Sequence, residues 1–478
     1  MTATRARGVA SLLGMSRLLP RPSHRAPQAP ETFPHPTNCL NYCPNSEVDP
    51  TLLLRHSWGV NLGWPYRRFW AASGLANVAD GMFGIALSLA ALSITRQPLA
   101  ISALRAASGL PALLLGLFAG VLADRTDRLR LMATVQVLRT GVLIGVTAAF
   151  LLDRTPLWLL YLAATGMGVA QTIFDTSAET MVPKLVAADH LERANSRLAG
   201  VELVGNFFVG PPLGGLIAGL SMAASFATGS VMYLLAGITL LTVHGTFRAE
   251  RPTASTTIRS DLLEGLRYLR AQPLLRRLAL VTGARLISFF MLAGVLPVYA
   301  VAPGPMGLST SEYGFFVAAT AIGAVLASLT GERLLARVGA ARCLRWFGLA
   351  FAVTALAPLL VNPFAVGALW TVGTYFVIIW NVVTLSVRQR LVPEHLLGRV
   401  NSAYRVLTWG AAPVGGLLGG VLAQMTSPAV TFVVCAAASA SLTGATWPLT
   451  DDGLAAGVVS LPAATGSIGP TGPTAQQG

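Results

Sequence analysis

Charged side chains are scarce in this sequence. Only 11% of its 478 residues are Asp, Glu, Lys or Arg, whereas 53% are apolar. Soluble globular domains carry about a quarter charged residues, and disordered chains contain too few apolar residues to form a core. The composition therefore excludes both classes and indicates that most of the molecular surface faces lipid.

The few charges are mostly positive, with a formal net charge of +14. In a soluble protein this excess would suggest nucleic acid as a partner, but the cytoplasmic loops of membrane proteins also collect Lys and Arg. We therefore expect a lipid bilayer and no nucleic acid. Lys184 is the sole lysine among 34 basic residues, a coding bias that suggests a high-GC bacterial genome.

Cysteines and the common catalytic motifs are also few or missing. Of the four cysteines, Cys39 and Cys43 share a polar tail that lacks the second ligand pair of a structural zinc site. No P-loop, Gly-x-Ser-x-Gly or His-Glu-x-x-His motif occurs. We expect no metal, no cofactor, no enzymatic activity and no ATP hydrolysis.

Long apolar stretches dominate what is present. Each is about 20 residues long, enough to cross about 30 Å of hydrocarbon as a helix. The twelve predicted spans are 69–94, 99–122, 131–152, 156–181, 196–220, 225–246, 278–301, 313–330, 343–361, 364–387, 401–424 and 429–449. The sequence predicts an all-α integral membrane protein.

The placement of basic residues predicts the orientation. Tails and loops on the side that bears the termini hold 29 of them, and the opposite loops hold only Arg96 and Arg154. Both termini should therefore lie in the cytoplasm of a bacterium, with the spans in its plasma membrane. The predicted parts are a disordered tail (1–64), a first bundle (65–246), a cytoplasmic linker with an amphipathic segment (247–277), a second bundle (278–450) and a disordered tail (451–478).

Short motifs recur at matching places in the two halves. The first copy consists of Arg193–Ser196, which leads into the fifth span, and Gly210–Gly215, which lies within it. The second copy, Arg399–Ser402 and Pro413–Gly416, has the same relation to the eleventh span. Parallel six-helix repeats build a large fold of secondary transporters, in which the binding site lies near midplane between the halves. The sequence thus indicates two related six-helix bundles.

The segment after the second span carries a family resemblance. Gly120–Arg130 (GVLADRTDRLR) resembles the loop signature G-x-L-A-D-R-x-G-R-[KR]-[KR] of the major facilitator superfamily, departing from it at Asp127 and Leu129. Its D-R-x-D-R variant, together with Gly210–Gly215, is similar to the branch that holds the enterobactin exporter and macrolide efflux pumps. The resemblance covers about 69–450 and implies twelve helices in two bundles that transport by alternating access, as a monomer.

Two residue sets follow from that resemblance. In the family the loop motif latches the cytoplasmic gate, and the Gly/Pro motif is associated with drug/proton antiporters; plain positive-inside topology and helix packing stay open as alternatives. We expect Asp124 to accept from a helix N-terminus and Arg128 to pair across the bundle interface. The gate residues are Gly120, Asp124, Arg125 and Arg128, and the antiporter-like residues are Gly210, Pro211, Gly214 and Gly215.

Acidic residues inside the spans are candidates for proton coupling, because an ionisable group in the bilayer faces a cavity or a partner. All of them belong to the first half, which we therefore expect to be the coupling half. Structural pairing is the alternative, for Asp80 with Arg105 and for Asp175 with Arg139. The candidates are Asp80, Asp175, Glu179 and Glu202.

The sequence also offers candidates for the substrate cavity, which we expect to lie between the bundles. They are polar or aromatic residues within spans, and packing or anchoring at the interface is the alternative for each aromatic one. The candidates are Asn77, Phe83, Arg105, Asn206, Phe289, Trp380 and Asn381.

The functional hypothesis is proton-coupled export of a lipophilic or amphipathic small molecule, such as a drug, a siderophore or a secondary metabolite. Uptake of a nutrient by a symporter or facilitator of the same fold is the alternative. A third possibility is a membrane sensor that transports nothing. The expected partners are the small molecule, protons and the bilayer.

Overall fold

A computed structural model describes residues 62–243, 247 and 258–456. Within these residues, twelve helical crossings are long and apolar enough to span a bilayer. This confirms the predicted fold class. Residues 1–61, with Cys39 and Cys43, and residues 457–478 lie outside the described part, as does most of 244–257.

The first six crossings form the N-terminal half. The fifth is interrupted by one π-helical turn, Val204–Val209, and so consists of two α-helices. The helices are α1 (Trp64–Ile94), α2 (Pro98–Arg125), α3 (Arg128–Leu151), α4 (Leu157–Leu185), α5 (Leu191–Leu203) with α6 (Gly210–Leu220), and α7 (Met222–Leu241).

The second half begins with a helix that is not a crossing, α8 (Ile258–Ala271), and ends with a short helix, α16 (Asp451–Ala456). Between them lie the other six crossings, the eighth of which has two parts. These are α9 (Pro273–Ala300), α10 (Thr310–Thr320) with α11 (Ile322–Val338), α12 (Ala340–Leu356), α13 (Pro363–Leu391), α14 (Glu394–Met425) and α15 (Pro428–Thr446).

Several boundaries differ from the sequence prediction. α1 begins at Trp64 and α9 at Pro273, because a proline near each start suits the first turn of a helix, where no backbone donor is needed. The predicted tail 451–478 also begins with a helix rather than disorder. Asp451 accepts a hydrogen bond from the Ala341 backbone N–H at 2.9 Å and so satisfies the N-terminus of α12.

The crossings end on two sides of the molecule. We call the side on which α8 lies the linker side, and the other the opposite side. On the linker side, α8 packs against the start of α14, where Glu264 and Arg399 form an ion pair. Tyr268 of α8 also donates a hydrogen bond to the Leu391 carbonyl at 2.8 Å. On the opposite side, Arg96 of the first half donates to the Val301 carbonyl of the second half at 3.0 Å.

Glycines of the Gly/Pro motif bring α6 against two neighbours. A Cβ at Gly214 would lie 2.8 Å from the Met82 carbonyl oxygen of α1. A Cβ at Gly215 would lie 2.7 Å from the Thr310 carbonyl oxygen at the start of α10. Any side chain beyond hydrogen would therefore separate α6 from its own bundle or from the other one.

The second copy of the motif repeats this arrangement in α14. A Cβ at Gly415 would lie 2.8 Å from the Phe290 Cβ of α9, in the same half. A Cβ at Gly416 would lie 3.1 Å from the Ser102 carbonyl oxygen of α2, in the other half. Both copies thus hold the two bundles in close contact toward the opposite side.

Candidate functional site

A cavity of about 790 Å³ lies between the two bundles, within the usual range for small-molecule sites. It extends from mid-span toward the linker side. First-half residues of its wall include Ser108, Gly109, Ala112, Gly168, Gln171, Thr172 and Asp175. Second-half residues include Thr282, Arg285, Leu286, Phe289, Phe290, Phe347, Phe351, Val377, Trp380, Asn381, Leu385, Arg388, Asn401, Tyr404, Arg405, Thr408 and Ala412.

A continuous polar chain connects this cavity with the interior of the first bundle. Arg139 is fully buried and lies 3.4 Å from an Asp80 carboxylate oxygen, which also accepts a 2.6 Å hydrogen bond from the Tyr233 hydroxyl. Arg139 donates to Gln171 Oε1 at 2.5 Å. Gln171 Nε2 in turn donates to Asp175 at 2.9 Å. Four crossings therefore meet in one network that ends at the cavity wall.

This network corrects the pairings expected from sequence. The partner of Asp80 is Arg139, not Arg105, and Asp175 reaches Arg139 only through Gln171. The rings of Phe174 and Tyr233 lie 5.4 Å and 5.1 Å from the Arg139 guanidinium carbon, and cation–π attraction adds to the ion pair. Asp80 is the deeply placed acid, and Asp175 is the exposed one on the wall.

The other two acidic candidates lie outside this network. Glu179 of α4 forms an ion pair with Arg405 of α14 at 3.2 Å, which joins the two halves on the linker side. Both side chains are about half exposed, so the pair is worth about 1 kcal/mol or less. Glu202 is exposed on α5, and the described hydrogen bonds do not connect it to Asp80.

The gate residues lie at the turn between α2 and α3. Gly120, Asp124 and Arg125 fall in the last turns of α2, where their side chains are not described. Arg128 is buried and donates to the Thr180 carbonyl at 3.5 Å. Thr180 belongs to α4, so this contact lies within the first bundle. The pairing of Arg128 across the bundle interface stays a prediction.

Asp127, a departure from the family signature, has a structural role that sequence analysis missed. Its carboxylate accepts from the Arg130 backbone N–H at 3.0 Å and from the Phe247 backbone N–H at 3.1 Å. The residue thus caps α3 and fastens the chain that leaves α7. An Asp directly before the first residue of a helix is the N-cap signal that could have revealed it.

The cavity candidates divide into two groups. Phe289, Trp380 and Asn381 line the cavity. Phe83 packs instead inside the first bundle, edge-on to Phe226. The others, which are Asn77, Arg105 and Asn206, are not part of the lining, and Asn206 donates a 2.7 Å hydrogen bond to Asn77 that joins the fifth crossing to α1.

The second-half wall contains residues that were not among the cavity candidates predicted from sequence. Thr282 Oγ1 accepts from Trp380 Nε1 at 3.0 Å and from the Tyr404 hydroxyl at 2.9 Å. One turn further along α9, the Arg285 guanidinium lies beside the rings of Phe347 and Trp380, which also contact each other. An arginine inside an apolar stretch was the available signal, but its neighbours come from distant helices.

The fold and this cavity agree with a comparison against protein families. A family model described as a transmembrane secretion effector, MFS_3, matches residues 64–449. The chain belongs to this family of the major facilitator superfamily. It is accordingly a transporter of the bacterial plasma membrane with multiple crossings, and the resemblance stated from sequence is confirmed.

Two curated relatives of this major facilitator transporter are an uncharacterised transporter and an exporter. An MFS-type transporter of Bacillus subtilis (strain 168), YfiS, is 27% identical over 385 residues, covering 76% of this chain and 88% of the relative. The enterobactin exporter EntS of Salmonella choleraesuis (strain SC-B67) is 26% identical over 388 residues, covering 78% and 90%.

Solved structures of other transporters share the fold. The nucleoside transporter NupG superposes with a TM-score of 0.62 at 14% identity, covering 81% of this major facilitator transporter and 98% of NupG. A bacterial homologue of the iron transporter ferroportin, in an inward-facing state, gives 0.63 at 17% identity, covering 80% and 97%. At these identities the likeness concerns the fold alone.

Proposed function

We propose that this protein is a proton-coupled exporter that carries a lipophilic or amphipathic small molecule out of the cytoplasm by alternating access. The observation that carries the proposal is the polar chain from the cavity wall at Asp175, through Gln171 and Arg139, to Asp80. The relationship to EntS, an enterobactin exporter, supports export as the direction.

The network supplies a physical means of coupling. A proton that reaches Asp80 would neutralise the partner of Arg139, so the guanidinium would shift its interaction toward Gln171 and Asp175. Because α1, α3, α4 and α7 all contribute to the network, this exchange would bias how the first bundle packs. A ligand or proton changes a conformational equilibrium only through such differential interactions.

The cavity supplies the substrate site. Its second-half wall is rich in aromatic side chains, among them Phe289, Phe290 and Trp380, which suit an apolar molecule. It extends toward the linker side, which we infer to be cytoplasmic, so a cytoplasmic molecule could enter it. Both walls come from one chain, so we infer that a monomer is sufficient.

The test is a susceptibility panel of toxic amphiphiles on bacteria that lack their main efflux pumps. Cells that express the wild type should resist some compounds, and the Asp175→Asn and Asp80→Asn variants should lose that resistance at equal membrane abundance. Asp153→Asn, an exposed acid on the opposite-side loop, is the matched control and should stay resistant. Full resistance in both network variants would contradict the proposal.

A further inference from the structure

Arg285 is a buried cation whose hydrogen-bonding groups are unused. Only 3% of the residue is exposed, and it belongs to the cavity wall. Within the described part of the chain, none of its three guanidinium nitrogens has a hydrogen-bond partner, and none of the ion pairs includes it. Burying an unpaired charge is costly, so such a residue in a membrane span points to a functional role.

Aromatic stacking offsets part of this cost. The Arg285 guanidinium carbon lies 4.5 Å from the ring centroid of Phe347 and 5.3 Å from that of Trp380. These rings attract the cation through their faces. They do not accept the in-plane N–H groups, which are arranged to bind a carboxylate in bidentate fashion.

The first bundle shows what completes a site of this kind. Arg139 lies in a similar setting, 5.4 Å and 5.1 Å from the rings of Phe174 and Tyr233, but it also has the Asp80 carboxylate. In the second bundle the described part of the chain provides two rings and the arginine without the acid. The missing group is therefore an anion.

Most charged residues of the cavity wall are cationic, as Arg285 is. Among its lining residues, Arg285, Arg388 and Arg405 are cationic and Asp175 is acidic. Asp175 belongs to the first half, so the charged residues of the second-half wall are all cationic, and of these Arg405 pairs with Glu179 of the first half. Arg388 stacks 3.7 Å from the Tyr404 ring centroid, and its Nε has no hydrogen-bond partner in the described residues.

We propose that Arg285, assisted by Arg388, binds the acidic group of an organic anion whose apolar body lies against Phe289 and Phe290. The inference rests on the proposed function in that it takes the cavity as the substrate site. It adds the sign of the substrate's charge, which selects amphiphilic carboxylic acids over neutral and cationic amphiphiles.

The test measures binding of a matched probe pair to the purified full chain in detergent. The probes are 1-pyrenebutyric acid, ionised at neutral pH, and its neutral amide. The wild type should bind the acid about tenfold more tightly or better, a difference of about 1.4 kcal/mol. Arg285→Gln should abolish that preference while leaving the affinity for the amide within about twofold. Arg277→Gln, on the same helix but outside the cavity, should keep the wild-type preference.

The wild-type comparison needs no variant, so the inference can fail even if Arg285→Gln does not fold. Equal affinities of the wild type for acid and amide, or a preference that survives in a folded Arg285→Gln protein, would overturn it. Arg285→Lys keeps the charge without the bidentate geometry, and we expect it to retain part of the preference.

The same data separate this inference from the proposed function. If the acid binds preferentially through Arg285 but moves no protons in vesicles, anion recognition stands and proton-coupled export fails. If export is coupled to protons but is indifferent to substrate charge and to Arg285→Gln, export stands and anion recognition is overturned.

Discussion

At the scale of single residues, Thr282 shows how one small side chain organises the cavity wall. Its hydroxyl donates to the Leu278 carbonyl at 2.7 Å and accepts from both Trp380 and Tyr404. It thereby sets the positions of two rings from α13 and α14. Arg285 lies against the Trp380 ring and Arg388 against the Tyr404 ring. The arrangement of both arginines in the wall therefore depends on this hydroxyl.

Replacing that hydroxyl tests its contribution. Thr282→Val keeps the volume but leaves the Trp380 N–H and the Tyr404 hydroxyl without their acceptor. We expect a loss of about 1–3 kcal/mol in the free energy of unfolding, the usual cost of a buried polar group left unpaired. Thr282→Ser retains the hydroxyl and should cost less. Thermal unfolding in detergent, followed by tryptophan fluorescence, measures both; equal losses for the two variants would contradict the role.

The Asp80–Arg139 pair predicts a characteristic non-additivity. Asp80→Asn leaves the fully buried Arg139 without its anion and should destabilise the protein by about 3–5 kcal/mol. The double variant Asp80→Asn/Arg139→Gln removes both charges and should be more stable than Asp80→Asn alone. Thermal unfolding of the single and double variants tests this. Purely additive losses would show that the two side chains do not stabilise each other.

At the scale of helices, the glycines of α6 and α14 determine how closely the bundles approach. Gly215 and Gly416 face the other half, whereas Gly214 and Gly415 face their own. The two copies of the motif therefore carry out the same packing in each bundle. This is why the motif recurs in the sequence although the side chains around it differ.

A single methyl group tests the interface between α6 and α10. Gly215→Ala would place a Cβ 2.7 Å from the Thr310 carbonyl oxygen and should hold the opposite side apart. Electron–electron distances between spin labels at residues 152 and 426, in a background without native cysteines, should lengthen. Gly141→Ala is the matched control, because a Cβ there meets nothing within 4 Å. Unchanged distances in Gly215→Ala would contradict the packing role.

The helices themselves were predictable from sequence, because lipid requires continuous apolar stretches of spanning length. The partners of the polar side chains were not. Sequence can estimate the depth of Asp80, but depth alone did not distinguish Arg105 from Arg139, since the choice depends on how each helix is rotated. Phe83 likewise lies on the face of α1 that packs inside the bundle. Tertiary packing decides both.

At the scale of the whole molecule, the two halves share a scaffold but differ in charge. The four acidic candidates lie in the first half, and two of them, Asp80 and Asp175, belong to its polar network. The second half contributes a cationic, aromatic wall. Close helix contacts toward the opposite side and a cavity toward the linker side are consistent with one state of an alternating-access cycle.

Substrate-driven proton movement in everted membrane vesicles tests the central claim, proton-coupled export, most directly. Vesicles are energised until the lumen is acidic, and a compound to which the wild type confers resistance is added. The account predicts release of protons from the lumen with the wild type and with Asp153→Asn, and at least a tenfold slower release with Asp175→Asn. No substrate-dependent release with the wild type, or release at the wild-type rate with Asp175→Asn, would contradict it.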